Sequence, residues 1–545
     1  MTILSRLFSR LLKLPPADTY DLVVERDLPV PMRDGTVLLA DHYVARGGSS
    51  APVILVRSPY GRAGAFANLF ARPFAERGFQ VLIQSCRGSF GSGGEFNAFR
   101  NEQRDGLDTL GWMQQQPWFT GAFATLGPSY LGQVQWAIAA DAGSMLKALS
   151  LQITASEFRS LVYPNESFGL DTALTWIESL AHQEDSLWSR IRSQRRLAQQ
   201  MQAAAMHLPL RDADVLVAGK PVPFYRDWLE HNAPDDPWWQ PVDFRGATDA
   251  LQAPTLLIAG WYDIFLPHQL ADYARLRAAG KQPYLTIGPW AHTSFAAFPV
   301  MIRESLTWFR AHLLAQPERL RAAPVRVFMM GRNQWIDYPD WPPPGYRPRR
   351  WFLQPAQGLA TEPAPASDPD RYCYDPANPT PSVGGSSLSR NAGPKDNRAV
   401  EARADVLVYT STVLEQDVEL VGAVSAELYV TSSLEHTDLF VRLCDVAPNG
   451  RSINISDGLT RLAPGRPHVN DDGTWRVTVE LWPTAHCFKR GHRIRVQVAG
   501  GSHPRYARNP GSGEPLATAT MLRAAEHAVY HAPAHPSAIV LPVRG

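Results

Sequence analysis

The stretch Leu126-Gly127-Pro128-Ser129-Tyr130-Leu131-Gly132 constrains the fold more than any other part of the chain. An apolar segment, Phe123-Ala124-Thr125-Leu126, runs into it, and Leu131, Val134, Trp136, Ala137, Ile138 and Ala140 beyond it read as a helix with no early breaker. The pattern is strand, sharp turn, helix. A serine at such a turn lifts its Oγ clear of the sheet, and small flanking glycines let the following helix pack close. The usual turn places its second glycine two residues after the serine; here Leu131 holds that place and Gly132 comes one residue later. A glycine-flanked serine is also ordinary turn chemistry, so other parts of the chain must separate a nucleophile from a turn residue.

A chain of 545 residues, 45% apolar and 19% charged, exceeds what one core supports and predicts two or three globular domains. Leu22–Val24, Leu28–Met32 and Val37–Leu39, with an Arg33-Asp34-Gly35 turn, read as antiparallel hairpin strands. Pro52–Val56 and Phe79–Ile83 are nearly continuous apolar runs around a helix-like segment, the signature of buried parallel strands. The glycine-rich loop Arg87–Phe96 lacks the Gly-Lys-Ser/Thr ending of a phosphate cradle. Residues 149–244 turn helical and Trp-rich, then the parallel pattern resumes at Pro254–Ala259 and Tyr284–Ile287. A Pro-rich stretch, Pro339–Pro348, marks a boundary, residues 354–400 read as a long irregular connection, and the short alternating strands beyond predict an all-β sandwich.

The chemistry comes from three positions in order. Asp263, in Gly260-Trp261-Tyr262-Asp263, directly follows one parallel run, and His292, in Gly288-Pro289-Trp290-Ala291-His292, directly follows the next. A serine hydroxyl is a weak nucleophile, so it needs a histidine to take its proton and a carboxylate to fix the imidazole tautomer and stabilise the imidazolium. Each residue alone has a plain turn or loop reading; their joint appearance in the order Ser, Asp, His after successive strands predicts a triad. His268 lies near Asp263 but inside the next helix, where packing or capping explains it. No His and carboxylate pair stands at ligand spacing on one element, so neither metal nor cofactor is expected.

Ser58-Pro59-Tyr60, Arg87-Gly88 with Gly94-Glu95-Phe96, the Ser129 turn, and the Asp263 and His292 motifs together resemble the cocaine esterase / X-Pro dipeptidyl-peptidase family of serine hydrolases. The resemblance continues through Thr437-Asp438-Leu439, Gly450–Asn454, Asp457-Gly458 and Pro504–Asn509, and the late glycine after the serine is itself a family feature. It implies an α/β-hydrolase domain with an inserted helical cap and a C-terminal jelly-roll domain. The domains are expected as 1–18 (amphipathic segment), 19–148 with 245–349 (catalytic), 149–244 (cap) and 350–545 (jelly roll). The resemblance further implies an oxyanion hole from the Tyr130 backbone N–H and the Tyr60 hydroxyl, and it places Trp176 and Phe265 where related esterases have acyl-pocket aromatics. Core packing is the other reading of those two. The implied activity is ester hydrolysis. The alternatives are an X-Pro dipeptidyl-peptidase or α-amino acyl hydrolase, whose α-ammonium grip would come from Glu157, Glu166 or Asp171 unless these are solvated surface charges, and a catalytically silent binding protein.

A net charge of +1 gives no pull toward nucleic acid, and no apolar run reaches the roughly eighteen residues of a membrane span. The scattered Cys86, Cys373, Cys444 and Cys487 fit a reducing, cytoplasmic setting. In residues 1–16, Leu7, Phe8, Leu11 and Leu12 at helical spacing, interrupted by Arg6, Arg10 and Lys13, predict an amphipathic helix. It packs on its own chain or on a second subunit of a homo-oligomer, or else makes weak peripheral membrane contact.

Overall fold

The computed structural model describes residues 2–48, 50–185 and 187–545; Met1, the head of the amphipathic segment, lies outside the described residues. A ten-stranded sheet carries the site. Its strands in chain order are β1 (Leu22–Pro31), β2 (Val37–Ala45), β3 (Val53–Ser58), β4 (Gln80–Ser85), β5 (Phe123–Pro128), β6 (Leu146–Gln152), β7 (Thr255–Tyr262), β8 (Tyr284–Ala291), β9 (Val325–Met329) and β10 (Gln334–Tyr338). Their spatial order is β1-β2-β4-β3-β5-β6-β7-β8-β9-β10. Strands β3 to β9 pair in parallel, with antiparallel β1–β2 and β10 at the two edges. Every residue of β3, β4 and β7 is buried, which is why their central residues read as nearly continuous apolar runs.

The boundary expected at 148/149 falls inside β6. This strand escapes a hydropathy reading because Ser150 and Gln152 interrupt it, and both side chains meet Ser305 of the helix Phe298–Leu313. Ser150 Oγ lies 2.7 Å from Ser305 Oγ, and Gln152 Nε2 donates to Ser305 Oγ at 2.9 Å. Between β6 and β7 the chain is helical, with Leu170–Ala181, Leu187–Met206 and Pro223–Glu230 as the main elements.

The boundary expected at 349/350 also falls inside a strand. Tyr346–Gln354 pairs with the C-terminal strand Ala538–Arg544, and Pro348 sits opposite Pro542, where neither needs a ladder N–H. Strands Gly358–Ala360 and Asp370–Tyr374 lie within the stretch expected to be irregular. The β-rich C-terminal part forms a twelve-stranded, mostly antiparallel network, and its long strand Val418–Ser432 is shared by Trp475–Phe488, Ala525–Tyr530 and Ala538–Arg544. It is joined to the first sheet by a continuous apolar core and by backbone bonds: Met330 N–H to Ala485 C=O at 3.0 Å, and Cys487 N–H to Met330 C=O at 2.9 Å.

The N-terminal helix Thr2–Leu11 packs on its own chain: Ser5 bonds Glu76, Arg77 donates to Ser9 Oγ at 3.1 Å, and Leu12 is fully buried, while Leu7 and Leu11 are exposed. Among the described residues no helix is long and apolar enough to cross a membrane.

Two glycines of the helix Glu102–Met113 give opposite expectations. A Cβ on Gly106 would stand 2.4 Å from Ile138 Cγ2 and 2.9 Å from Arg57 Nη1, whereas one on exposed Gly111 would meet nothing within 4 Å. Gly111→Ala is therefore expected to stabilise the protein by about 0.5–1 kcal/mol through helix propensity. Gly106→Ala is expected to destabilise it by about 1–3 kcal/mol despite the same propensity gain. Denaturant unfolding of both variants checks the opposite signs.

Candidate active site

Ser129 sits between β5 and the helix Tyr130–Ala139 with φ 58° and ψ −123°, a backbone conformation unfavourable for any residue but glycine. The neighbours that impose it are specific. Gly127 has φ 151°, and a Cβ there would lie 2.3 Å from Leu131 Cβ. A Cβ on Gly132 would lie 2.3 Å from Thr154, whose hydroxyl donates to the Ser129 carbonyl at 2.8 Å. The second small residue is needed where Thr154 crosses the helix, three residues past the serine, so Leu131 is free to pack in the core.

Asp263 and His292 arrive at the same edge of the sheet, from the ends of β7 and β8. His292 Nε2 is 3.0 Å from Ser129 Oγ, and His292 Nδ1 is 2.9 Å from Asp263 Oδ2. Asp263 is fully buried, and its Oδ1 accepts from the Phe265 N–H at 2.8 Å. The glycines of the two motifs make room for one indole: a Cβ on Gly260 would come within 2.4 Å of Trp290, and one on Gly288 within 2.1 Å. Trp290 thereby wedges the two loops that present the acid and the imidazole. His268, in the helix Leu266–Ala278, takes no part in this chain of bonds, and burial pushes its imidazole below the ordinary histidine value.

Tyr130 opens its helix, so its backbone N–H has no intrahelical partner. Its phenol is anchored from below: it donates to Glu102 Oε1 at 2.7 Å and accepts from the Phe99 N–H at 3.1 Å. Glu102 in turn faces Arg57 at 2.9 Å, both almost fully buried, and Arg57 also donates to the Glu102 carbonyl and to Gln84. Tyr60, on the loop after β3, has its ring 6.3 Å from that of Tyr130 and edge-on to it. Its hydroxyl oxygen accepts from Trp176 Nε1 at 2.9 Å, and burial pushes the phenol above the ordinary tyrosine value, so it keeps its proton.

An apolar pocket opens at Ser129. Tyr60, Phe99, Phe158, Trp176, Trp228 and Phe265 form most of its aromatic wall, and Leu388 reaches it from the C-terminal part. Trp176 stacks on Phe99 at 5.7 Å and on Trp228 at 5.8 Å. The structure thus places Tyr60, Ser129, Tyr130, Trp176 and Phe265 around one cavity. Phe99, Phe158, Trp228 and Leu388 were not legible as site residues, because the helical insertion and the loops bring them in from distant stretches.

The Arg87–Phe96 loop is a strut. Arg87 makes a two-pronged pair with Asp105 at 2.9 and 2.6 Å and meets Asp34 at 2.9 Å, while a Cβ on Gly88 would strike the Phe96 backbone N at 2.2 Å. The candidate ammonium-gripping carboxylates are engaged elsewhere. Glu166 pairs with Arg159 at 2.8 Å, and Glu157 caps the Ser160 N–H at 3.0 Å. Asp171, against its reading as a surface charge, is buried and bonded to Ser387, and burial raises its carboxyl above the usual range. None of the three lines the pocket.

Residues 34–294 match the family described as X-Pro dipeptidyl-peptidase (S15 family), and residues 320–540 match the X-Pro dipeptidyl-peptidase C-terminal non-catalytic domain. The chain is 32% identical to the cocaine esterase of Rhodococcus sp. (strain MB1 Bresler), over 95% of this chain and 98% of that protein. An aminopeptidase from a marine sediment Thaumarchaeota archaeon and an α-amino acid ester hydrolase share the fold. Each has a TM-score of 0.80 and 22% identity, covering 97% of this chain and 98% of theirs.

The buried Arg57–Glu102 pair beneath Tyr130 gives a stability expectation. Glu102→Ala strands the guanidinium and is expected to cost about 3–5 kcal/mol. A loss below about 1 kcal/mol in denaturant unfolding, as for an exposed pair, would show that solvent reaches Arg57.

Proposed function

The chain belongs to the cocaine esterase / X-Pro dipeptidyl-peptidase family and is a carboxylic-ester hydrolase of the serine type, and on that premise we propose that Ser129 carries the acyl group through the reaction. His292 Nε2 takes the Ser129 proton as Oγ attacks the ester carbonyl, and Asp263 holds the imidazole by Nδ1 and stabilises its charged form. The negative charge on the carbonyl oxygen is met by the Tyr130 backbone N–H and the Tyr60 O–H. Collapse of the tetrahedral intermediate expels the alcohol, which receives the proton from His292. Water then repeats the sequence on the acyl-enzyme and releases the acid.

The Trp176–Tyr60 bond supports the assigned direction of the Tyr60 proton: the indole N–H occupies the phenol oxygen as acceptor, leaving the O–H free for substrate. The observation that carries the ester reading over the α-amino acyl one is the pocket wall at Ser129, which is aromatic and aliphatic and includes no carboxylate. An ammonium group buried there would have no counter-charge. A fluorophosphonate probe, a panel of short aliphatic and aromatic esters, and a set of Xaa-Pro anilides test the reading together. Faster turnover of the anilides than of any ester would favour the peptidase.

Ser129→Ala is expected to abolish probe labelling and to lower kcat by on the order of a million-fold, the scale known for serine hydrolase nucleophiles. Labelling at a different serine would overturn the assignment.

Tyr60→Phe keeps the ring and removes one donor, so kcat is expected to fall about a hundred- to a thousand-fold with little change in KM. Thermal unfolding of the same variant separates this from packing: near-normal kcat, or a kcat loss that tracks a loss of folded protein, makes Tyr60 a wall residue only.

A further inference from the structure

The N-terminal helix Thr2–Leu11 turns two unlike sides to its surroundings. Successive residues advance about 100° around a helix axis, so Ser5 and Ser9 share one side while Leu7 and Leu11 share the other. The first side is built into the protein. Ser5 is buried and bonds Glu76, and Ser9 Oγ accepts from Arg77 at 3.1 Å. Just past the helix, Leu12 is fully buried and Arg77 Nε donates to the Pro15 carbonyl at 3.0 Å. These ties hold the helix with its other side outward, where Leu7 and Leu11 are each 61% exposed.

The leucine stripe has a charged flank. Arg6 and Arg10 lie beside it and Lys13 follows, all three exposed. The Arg6 guanidinium rests 5.0 Å over the Tyr20 ring, and none of the three has a carboxylate partner among the described residues. Residues 2–17 contain no Asp or Glu, and the first acid, Asp18, stands 3.9 Å from Arg310. The whole chain has a net charge of +1, so this short segment concentrates a positive charge that the remainder does not share.

We propose that the helix Thr2–Leu11 docks the protein on an anionic phospholipid surface. Its axis lies in the plane of the interface, Leu7 and Leu11 enter the boundary between headgroups and acyl chains, and Arg6, Arg10 and Lys13 meet the lipid phosphates and carboxylates. Two leucines are too little apolar surface to hold a protein on a neutral bilayer, so the cations have to contribute, and they set the lipid class. The same cations argue against a second copy of this chain as the occupant. Two such helices face to face would bring like charges together with no acid between them, around an apolar contact far below the roughly 800 Å² per partner of a stable interface. The helix is anchored at Glu76 and Arg77, just ahead of β4 and so at the amino ends of the parallel strands, whereas Ser129, Asp263 and His292 follow carboxyl ends. Docking therefore leaves the active site uncovered.

Sedimentation of the full chain with phosphatidylcholine vesicles, with and without about one-third phosphatidylserine, tests the inference. Binding to the anionic vesicles is expected to exceed binding to the neutral ones by roughly tenfold or more, and to vanish at about 1 M salt, where the screening length is about 3 Å. Leu7→Gln together with Leu11→Gln keeps the charge and the helix propensity and is expected to lower the partition coefficient by roughly tenfold or more. Arg10→Gln and Lys13→Gln are each expected to lower it about fivefold. Melting temperatures are expected to stay level, because these side chains are exposed. No binding to anionic vesicles, equal binding to both kinds, or binding that survives the leucine double variant overturns the inference. Loss of folding in that variant also overturns it, by making the outer leucines structural. So does a dimer, seen by light scattering, that the variant dissolves, since a second copy would then be the occupant.

Discussion

The site depends on holding one non-glycine residue, Ser129, in a conformation that costs about 1–3 kcal/mol. Nothing local to the serine provides that energy. It comes from β5, pinned in parallel between β3 and β6, and from a helix that must start immediately after the strand because Thr154 crosses it at Gly132. The Thr154 hydroxyl then ties the Ser129 carbonyl into the loop after β6. Once the turn is fixed, the topology supplies the partners. Strands β7 and β8 run parallel to β5, so the loops that follow them reach the same edge of the sheet. Trp290, seated against Gly260 and Gly288, sets how far apart those loops lie.

Above that edge, single residues serve the catalytic frame and the pocket at once. Trp176 is both a wall of the cavity and the donor to Tyr60, so the helix Leu170–Ala181 carries shape and electrostatics together. Tyr130 offers its backbone N–H to the site while its ring and hydroxyl are locked over the Arg57–Glu102 pair. In the proposed mechanism such coupling ties acyl selectivity to oxyanion stabilisation: moving the Trp176 helix to widen the pocket also withdraws the indole from the Tyr60 phenol.

The parallel strands and the order of Ser129, Asp263 and His292 were legible because each sits directly after an apolar run, and fully buried parallel strands have no polar face to blur the signal. Strand β6 was not legible, because Ser150 and Gln152 look like loop residues until the helix bearing Ser305 is laid over them. The late glycine at 132 was visible as a departure from the common turn, but its cause is a side chain from another loop. Trp176, Tyr60 and Phe265 could be named only by resemblance. Trp176 joins the other two only through the way the residue 153–254 insertion folds back, which no local spacing encodes. Asp171 reads as a surface charge for the same reason: its partner, Ser387, is more than two hundred residues away, in the C-terminal part.

That last contact assigns the β-rich C-terminal part a place in the site. Asp171 lies in the first turn of the helix that carries Trp176, and Ser387 precedes Leu388, which lines the pocket. The Asp171 N–H donates to the Pro504 carbonyl at 2.9 Å, a second bond between the same two regions. A carboxylate buried at that joint is costly to desolvate unless its hydrogen bonds are kept, so the joint resists sliding. The pocket is therefore built by three regions of the chain and has fixed walls on each side. A fixed wall rejects poor shapes well but discriminates weakly between apolar groups of similar size, about 1–3 kcal/mol per methylene. Finer choice in such a cavity has to come from a polar group placed in its wall.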